Sequence, residues 1–456
     1  MSIQFAISLK KEEVIKMSAI KVRFAPSPTG YMHIGNTRTA VFNWLLAKKL
    51  GGEFMLRIDD TDKERSKKEY EDAIRESLTW LGLNWTSEAR QSARLERYQE
   101  VTAKLIEAGR IYACYETAEE LEMMRKKLMT KGLPPIYDRS ALKLTDEQKA
   151  AYEAEGRKPH YRFKLTDGDI VWQDMVRGEC RYAASNLSDP IIIREDGSFL
   201  YHLPSVIDDV DFGITHIVRG EDHVTNTAAQ VQMFEAIGGT APQFAHLPLL
   251  TGKEGKLSKR LGSVSVIDLR AKGVEAMSIC SYLAKLGTSE AVEPFYDLES
   301  LAQTLDFDKL GRSQPKFSEE DLEHFNTKLI HGMPYSMVAD RIGVDEDFWN
   351  VVRNNIDVVA DIEQWKNICR CTVNPTIEDA ELTDLAASLL PAEPWDEETF
   401  SCWINDIKGQ IDRKGKGLFH PLRKAITNME NGPELKILLP LIGRERVYNR
   451  LKGKAA

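Results

Sequence analysis

The sequence predicts an α/β domain on a parallel sheet, interrupted by an α+β insertion and followed by an all-helical C-terminal region. Three observations carry this. The N-terminal part alternates strand-like and helical segments. Residues 133–201 break into short strand-like runs. Beyond about Gly273 the pattern is helical almost to the end. The length agrees, because 456 residues exceed one core and require about three to five domains.

Lys21–Ala25 reads as a short buried strand. Pro26-Ser-Pro-Thr-Gly30 reads as a loop, since its prolines bar regular structure. Val41, Trp44, Leu45 and Leu46 mark a helix over 36–50, which Gly51-Gly52 ends. A second strand follows at 53–58 and a second helix at 69–81, the opening of a βαβ unit. Leu133-Pro-Pro-Ile-Tyr137 is a break. Strand-like runs at 161–165, 170–172, 190–194 and 199–201 form the α+β insertion. A buried strand at 213–219 resumes the sheet, and a helix at 226–237 follows it. There is no internal repeat and no low-complexity tract.

The composition, 42% hydrophobic and 29% charged, is that of an ordinary globular protein. It excludes disorder, collagen and coiled coil as the main theme. No stretch approaches the roughly 20 apolar residues of a membrane span. Six cysteines make no disulfide framework, so a reducing compartment, the cytoplasm, is expected. Lys10, Lys11, Glu12 and Glu13 interrupt the first 19 residues, which read as a frayed extension with Met17 as an alternative start. The net charge of −9 is unevenly placed. Gly343–Phe400 holds 3 basic and 14 acidic residues, whereas the stretch from Lys408 onward holds 12 basic and 4 acidic. That step suggests an anion-binding surface near the C-terminus, with a solvated basic tail as the alternative.

Two motifs carry chemistry. In Pro26-Ser-Pro-Thr-Gly-Tyr-Met-His33-Ile-Gly35-Asn36 a strand feeds a helix N-terminus, where backbone N–H groups and the helix dipole attract phosphate. His33 is a donor to phosphate oxygens, and Gly35 admits a nucleotide close to the backbone. Far downstream, Lys256-Leu-Ser258-Lys259-Arg260 gathers three cations and a hydroxyl between Gly252, Gly255 and Gly262, a composition suited to closing on a polyphosphate. Either motif alone fits an ordinary loop.

Together, in this order, they resemble the two ATP-binding signatures of class I aminoacyl-tRNA synthetases. In detail the chain resembles the bacterial glutamyl-tRNA synthetases. The matching segments are Arg23–Gly30, Leu56-Arg-Ile-Asp-Asp-Thr-Asp62, Tyr201, Asp208-Asp209, Gly213–His223, Asn226-Thr227, Gly417-Leu-Phe-His-Pro-Leu-Arg423 and Gly432-Pro-Glu-Leu435. The likeness runs from about Ile20 to Leu451.

The resemblance implies a glutamate–tRNA ligase. Glutamate and ATP give glutamyl-adenylate and pyrophosphate, and the 3′-terminal adenosine of tRNA(Glu) takes the glutamyl group, with activation awaiting tRNA. The attacking carboxylate is already a nucleophile, so the chemistry needs positioning and charge neutralisation. The implied catalytic residues are His33, Lys256 and Lys259. The implied ATP-binding set is Pro26, Gly30, His33, Gly35, Asn36, Asp222, His223, Leu250, Lys256, Ser258, Lys259 and Arg260, with Mg²⁺ brought by ATP. The implied glutamate site is Arg23, Ser27, Asp59, Tyr201, Ser205 and Arg219. Arg23 and Arg219 stand at the ends of the two expected central strands, where open α/β sheets bind ligands. Their alternative is a buried ion pair with an acid such as Asp59. The family more often has Glu at the position of Asp59, a departure that shortens its reach.

The implied organisation is an N-terminal extension (1–19), Rossmann-type catalytic halves (20–113 and 206–262), an acceptor-end-binding insertion (114–205), a connecting domain (263–325) and a helical anticodon-binding domain (326–456). Arg413, Lys414, Lys416 and Arg423 are the candidate tRNA contacts. A monomer in the cytoplasm, with no membrane partner, is implied. Some relatives hold zinc in the insertion through Cys-x-Cys and a later Cys/His pair. Here Cys114-Tyr115-Glu116 keeps one thiol, Tyr137–Ala141 offers none, and Cys369-Arg-Cys371 lacks companions, so no structural zinc is expected. Two alternatives stand beside the ligase: an enzyme that also charges tRNA(Gln), and a catalytically silent tRNA-binding protein.

Overall fold

Strand β1 (Lys21–Phe24) starts the sheet, with Val22 and Phe24 buried, and stops before Pro26. The structure, a computed structural model, describes residues 19–252 and 264–456. The expected extension before Ala19, and Lys256, Ser258, Lys259 and Arg260, lie outside the described residues. The chain divides into two compact units. The first comprises the residues up to Ile267 with Leu283–Ala291 and Asp297–Phe317; the second comprises Asp268–Tyr282, Val292–Tyr296 and Ser318–Ala456.

In the first unit, β1 runs parallel to β2 (Glu53–Ile58), with Val22 opposite Phe54 and Phe24 opposite Leu56. Helix α1 (Ile34–Lys49) connects them and is buried from Ala40 through Ala47, as a helix covered on every side must be. Helix α2 (Lys68–Trp80), β3 (Ser87–Arg90) and α3 (Leu95–Glu107) continue this half. Next come β4 (Ile111–Cys114), α4 (Ala118–Thr130), α5 (Asp146–Ala154), β5 (His160–Phe163), β6 (Asp169–Asp174), β7 (Gly178–Ala183) and β8 (Ile191–Ile193). Helix α6 (His202–Asp211), β9 (His216–Gly220), α7 (Val224–Ala236) and β10 (Gln243–Leu247) complete the sheet.

The main sheet has the order β3-β2-β1-β9-β10-β6-β7. Every neighbouring pair is parallel except β6–β7. The chain leaves β1 in one direction through β2 and β3 and resumes on its other side at β9. The switch point, where such sheets open a crevice at the strand C-termini, therefore lies between β1 and β9.

The structure departs from the sequence reading in two places. The short strands after Tyr137 do not form one subdomain: β5 and β8 join β4 in a separate antiparallel sheet, while β6 and β7 extend the main one. Residues 199–201 are not a strand. Phe199 makes a single bridge to Ile193, and α6 begins at His202 because Leu203, Val206 and Ile207 share a buried helical stripe.

The second unit is helical, with Trp349 wholly buried in its core. Arg450 is also wholly buried and pairs with no Asp or Glu side chain among the described residues. It donates instead to the carbonyls of Ile368, Ile426 and Cys371 and to an oxygen of the last residue, Ala456, at 2.8–3.0 Å. Three of those oxygens are main-chain carbonyls at or near the ends of helices, where the intrahelical partners run out. Arg450→Met should therefore cost at least about 3 kcal/mol in denaturant unfolding of the helical unit. A loss below about 1 kcal/mol would contradict this role.

Candidate functional site

A cleft of about 580 Å³ opens at the C-terminal ends of β1, β2, β9 and β10. Of the expected ligand residues it is lined by Arg23, Pro26, Ser27, His33, Gly35, Asn36, Asp59, Tyr201, Arg219, Asp222, His223 and Leu250. Gly30 and Ser205 do not line it. Ser205 is buried behind the site, its carbonyl and hydroxyl each 3.4 Å from the Arg57 guanidinium.

His33 is the N-cap of α1. Its Nδ1 accepts the backbone N–H groups of Gly35 (3.1 Å) and Asn36 (3.3 Å). Two consequences follow. These N–H groups are taken by the imidazole, so the expectation that they stand free for phosphate needs correction. With Nδ1 an acceptor, the ring's proton sits on Nε2, a donor on a cleft-lining side chain. Burial lowers the His33 pKa, which keeps the imidazole neutral and the cap intact. Gly35 has a second reason to be glycine: a Cβ there would lie 3.1 Å from His33 Cε1.

The segment after the Lys-Leu-Ser-Lys-Arg motif returns to this same place. Ile34 donates to the Val264 carbonyl, Val266 donates to the Met32 carbonyl, and His33 bridges Ser265. Leu250 lines the cleft just before that loop. Residues 264–266, which follow the second motif, are thus paired with the backbone of the first; the motif itself lies outside the described residues. Sequence reasoning misses Arg38. It is buried in α1 and donates to the carbonyls of Pro248 (2.7 Å) and Leu286 (2.9 Å), bracing the loop after β10.

The buried charges decide what the cleft binds. Arg57 is chelated by Asp59 (2.6 and 3.0 Å) and reaches Asp209 at 2.7 Å. Arg23 takes Asp209 at 3.1 and 3.4 Å through Nε and Nη2, which leaves Nη1 uncommitted. The buried ion pair weighed for Arg23 thus exists, but with Asp209. Asp208 is held by Arg94, Tyr98 and Gln91. Among the described residues no acid pairs with Arg219. It is 5% exposed, and among the described residues its partners are neutral: Tyr201 Oη at 2.9 Å, Thr227 Oγ1 at 2.5 Å, Gln230 Oε1 at 2.8 Å and His246 Nε2 at 3.3 Å. Four of its five N–H groups are committed, leaving one on Nη1, beside the Tyr201 hydroxyl. Arg219 therefore offers one N–H rather than a free fork. Burial pulls its pKa down, as expected of a desolvated cation without a counter-ion.

The candidate tRNA contacts lie in the other unit and are less free than expected. Arg413 pairs with Asp379 (3.0 Å) and Lys414 with Asp412 (3.5 Å). Arg423 is half-buried and donates to the Pro433 carbonyl. Lys416 is exposed.

In the insertion Cys114 is not without companions. Antiparallel register sets it opposite His160, and the ligand atoms of Cys114, Glu116 and His160 lie within 4.8 Å of one another. No spacing in the sequence points to His160. One oxygen of Glu116 and His160 Nε2 are buried without a partner. Tyr137 donates to the other Glu116 oxygen at 2.7 Å and lies 3.8 Å from the Cys114 sulfur. Burial pushes the thiol up to about 12. The set is one donor short of a closed four-ligand zinc site. It is the only group of three or more such ligands among the described residues.

Known proteins share this sequence pattern and fold. The family model for the catalytic domain of class I tRNA synthetases (E and Q) matches residues 19–324, and an anticodon-binding domain model matches 298–454. Glutamate–tRNA ligase 1 of Maricaulis maris is 52% identical over 443 residues, 96% of this chain and 100% of the relative. Glutamate–tRNA ligase 2 of Hyphomonas neptunium is 50% identical, over 94% of this chain and 99% of the relative. A crystal structure of a glutamate tRNA ligase from Elizabethkingia meningosepticum, in complex with its amino acid, superposes with a TM-score of 0.79 at 26% identity. It covers 95% of this chain and 98% of that one.

The His33 geometry separates capping from ligand contact. Asparagine is a good N-cap but loses the Nε2 donor. His33→Asn should keep the unfolding temperature within a few degrees while weakening ATP binding about tenfold or more, and His33→Ala should lose on both counts. Unchanged ATP affinity in both variants would make His33 a cap alone.

Proposed function

The chain belongs to the class I tRNA synthetases of the glutamate and glutamine type, and on that premise we propose that it is a glutamate–tRNA ligase. It activates glutamate with ATP to glutamyl-adenylate and passes the glutamyl group to the 3′-terminal adenosine of tRNA(Glu). The observation that carries the choice of amino acid is Arg219, a buried cation at the cleft with no carboxylate partner among the described residues. A ligand carboxylate completes it, helped by Nη1 of Arg23. An amide would set its NH₂ against these donors.

On this reading the reactive carboxylate needs no protein nucleophile or base. The chain's part is to hold glutamate and ATP in line and to meet the charge that develops on the phosphates. His33 Nε2–H serves that end, as do Lys256 and Lys259 from the loop whose flanks meet His33. Mg²⁺ travels with the ATP phosphates, whose charge it offsets. The helical unit carries the anticodon-binding domain, with Lys416 and the cations around it as candidate phosphate contacts. No helix among the described residues is long and apolar enough to cross a membrane; we take the cytoplasm as the site of action and the monomer as the working state.

Three expectations test this reading. Glutamate-dependent, tRNA-dependent pyrophosphate exchange should be present, and its absence would leave a silent tRNA-binding protein. Arg219→Gln should raise the KM for glutamate at least tenfold and leave the KM for ATP within about threefold; equal losses for both would indicate a structural role. Elemental analysis of protein purified without a metal-binding tag should find well under one zinc per chain. One zinc per chain, lost in Glu116→Gln, would assign it to Cys114, Glu116 and His160 instead.

A further inference from the structure

Behind Arg219 lies a file of buried polar groups, Thr227, His246 and Asp174, outside the lining of the cleft. Thr227 and His246 are wholly buried, and Asp174 is 5% exposed. Sheet register builds the file: His246 on β10 is the cross-strand partner of Arg219 on β9, and Asp174 ends the neighbouring strand β6, where it pairs in register with Phe244. Asp174 Oδ1 accepts the backbone N–H groups of Val176 and Arg177 at 3.0 Å each and of His246 at 3.3 Å. With that oxygen saturated, Oδ2 points at His246 Nδ1, 2.5 Å away. An ionised carboxylate can only accept, so His246 carries its proton on Nδ1 and presents Nε2 as an acceptor. Nε2 faces Thr227 Oγ1 at 2.8 Å and Arg219 Nε at 3.3 Å. Thr227 Oγ1 in turn accepts from Arg219 Nη2. The one Thr227 proton has two acceptors in reach, His246 Nε2 and the His223 carbonyl at 3.1 Å, so the Arg219 donors end on a hydroxyl and an imidazole that are themselves held, the imidazole by Asp174.

We propose that Asp174, His246 and Thr227 are positioning residues that fix the rotation of the Arg219 guanidinium, so that its Nη1 edge alone faces the cleft. This deepens, and rests on, the reading of Arg219 as the carboxylate anchor. The Nε and Nη2 edges are held from behind by His246, Thr227 and Gln230, and the Phe244 ring lies 5.6 Å from the guanidinium carbon. Without the acceptor at His246 Nε2, one N–H of Arg219 is buried and unpaired, and the group gains by turning to find a partner. The anchor would then be present but misaimed. Asp174 comes from the segment expected as an insertion, so the glutamate site is completed by a strand that the catalytic halves do not supply.

The test uses four near-isosteric changes in the full-length enzyme, with steady-state KM for glutamate and for ATP, kcat, and the unfolding temperature of each. Asp174→Asn turns the acceptor facing Nδ1 into a donor. That forces the imidazole proton onto Nε2, where it opposes the donors of Arg219. Thr227→Val removes the middle link at constant volume. His246→Phe removes the acceptor, and His246→Gln restores one at the Nε2 position. Asp174→Asn, Thr227→Val and His246→Phe should each raise the KM for glutamate about tenfold or more, with the KM for ATP moving less than about threefold. His246→Gln should recover most of that loss. Arg219→Gln is the reference arm. If it leaves glutamate KM unchanged, the anchor reading itself fails. If it raises that KM while Asp174→Asn and Thr227→Val do not, the anchor stands and the positioning file is refuted. Equal loss for glutamate and ATP, tracking a fall in unfolding temperature and not rescued by His246→Gln, would also refute it, leaving these residues as packing.

Discussion

The first unit is organised around a mismatch of buried charge. Three arginines, Arg23, Arg57 and Arg219, approach the switch point from adjacent parallel strands. Asp59, Asp208 and Asp209 face them, but Arg57 and Arg94 draw on the same acids. The acids are consumed on the β2 side, and Arg219 is left with neutral partners. Burying an ion without a counter-charge costs several kcal/mol, so this arrangement is a poor way to stabilise a fold. It is an effective way to keep a cation ready for a ligand carboxylate. The cost is offset elsewhere, through the apolar core of Phe244, Ile217 and the buried faces of α6 and α7.

The same economy appears at His33. One imidazole closes the N-terminus of α1 with Nδ1 and is thereby obliged to offer Nε2–H to the cleft. Helix capping and tautomer are one constraint. The pairing of Met32 and Ile34 with Val266 and Val264 brings a segment that follows the second motif to the start of the same helix, a pairing between stretches far apart in sequence.

Much of this was legible in the sequence, for physical reasons. The strand at Val22-Arg-Phe24, the proline-rich loop and the helix after His33 are local patterns, and Arg23 and Arg219 at strand ends follow from the expected sheet. What the sequence hid was register. Nothing local says that Asp174 reaches His246, that Cys114 faces His160, or that Arg23 pairs with Asp209 rather than Asp59. Those contacts are set by strand order across long separations. The start of α6 is hidden because Phe199-Leu-Tyr201 favours a strand, until the stripe of Leu203, Val206 and Ile207 takes over. The basic stretch near the C-terminus was visible as charge. Its pairing of Arg413 with Asp379 was not, because the acid lies in the preceding acidic stretch.

The central claim is that the unpaired Arg219 cation selects a ligand carboxylate. Ligand-induced stabilisation of the enzyme reads this directly, since a ligand that binds only the folded state raises its unfolding temperature as its occupancy grows. Glutamate should give a saturable rise, and glutamine, the same size without the side-chain charge, should give little or none at the same concentrations. Equal stabilisation by both amino acids would contradict the account.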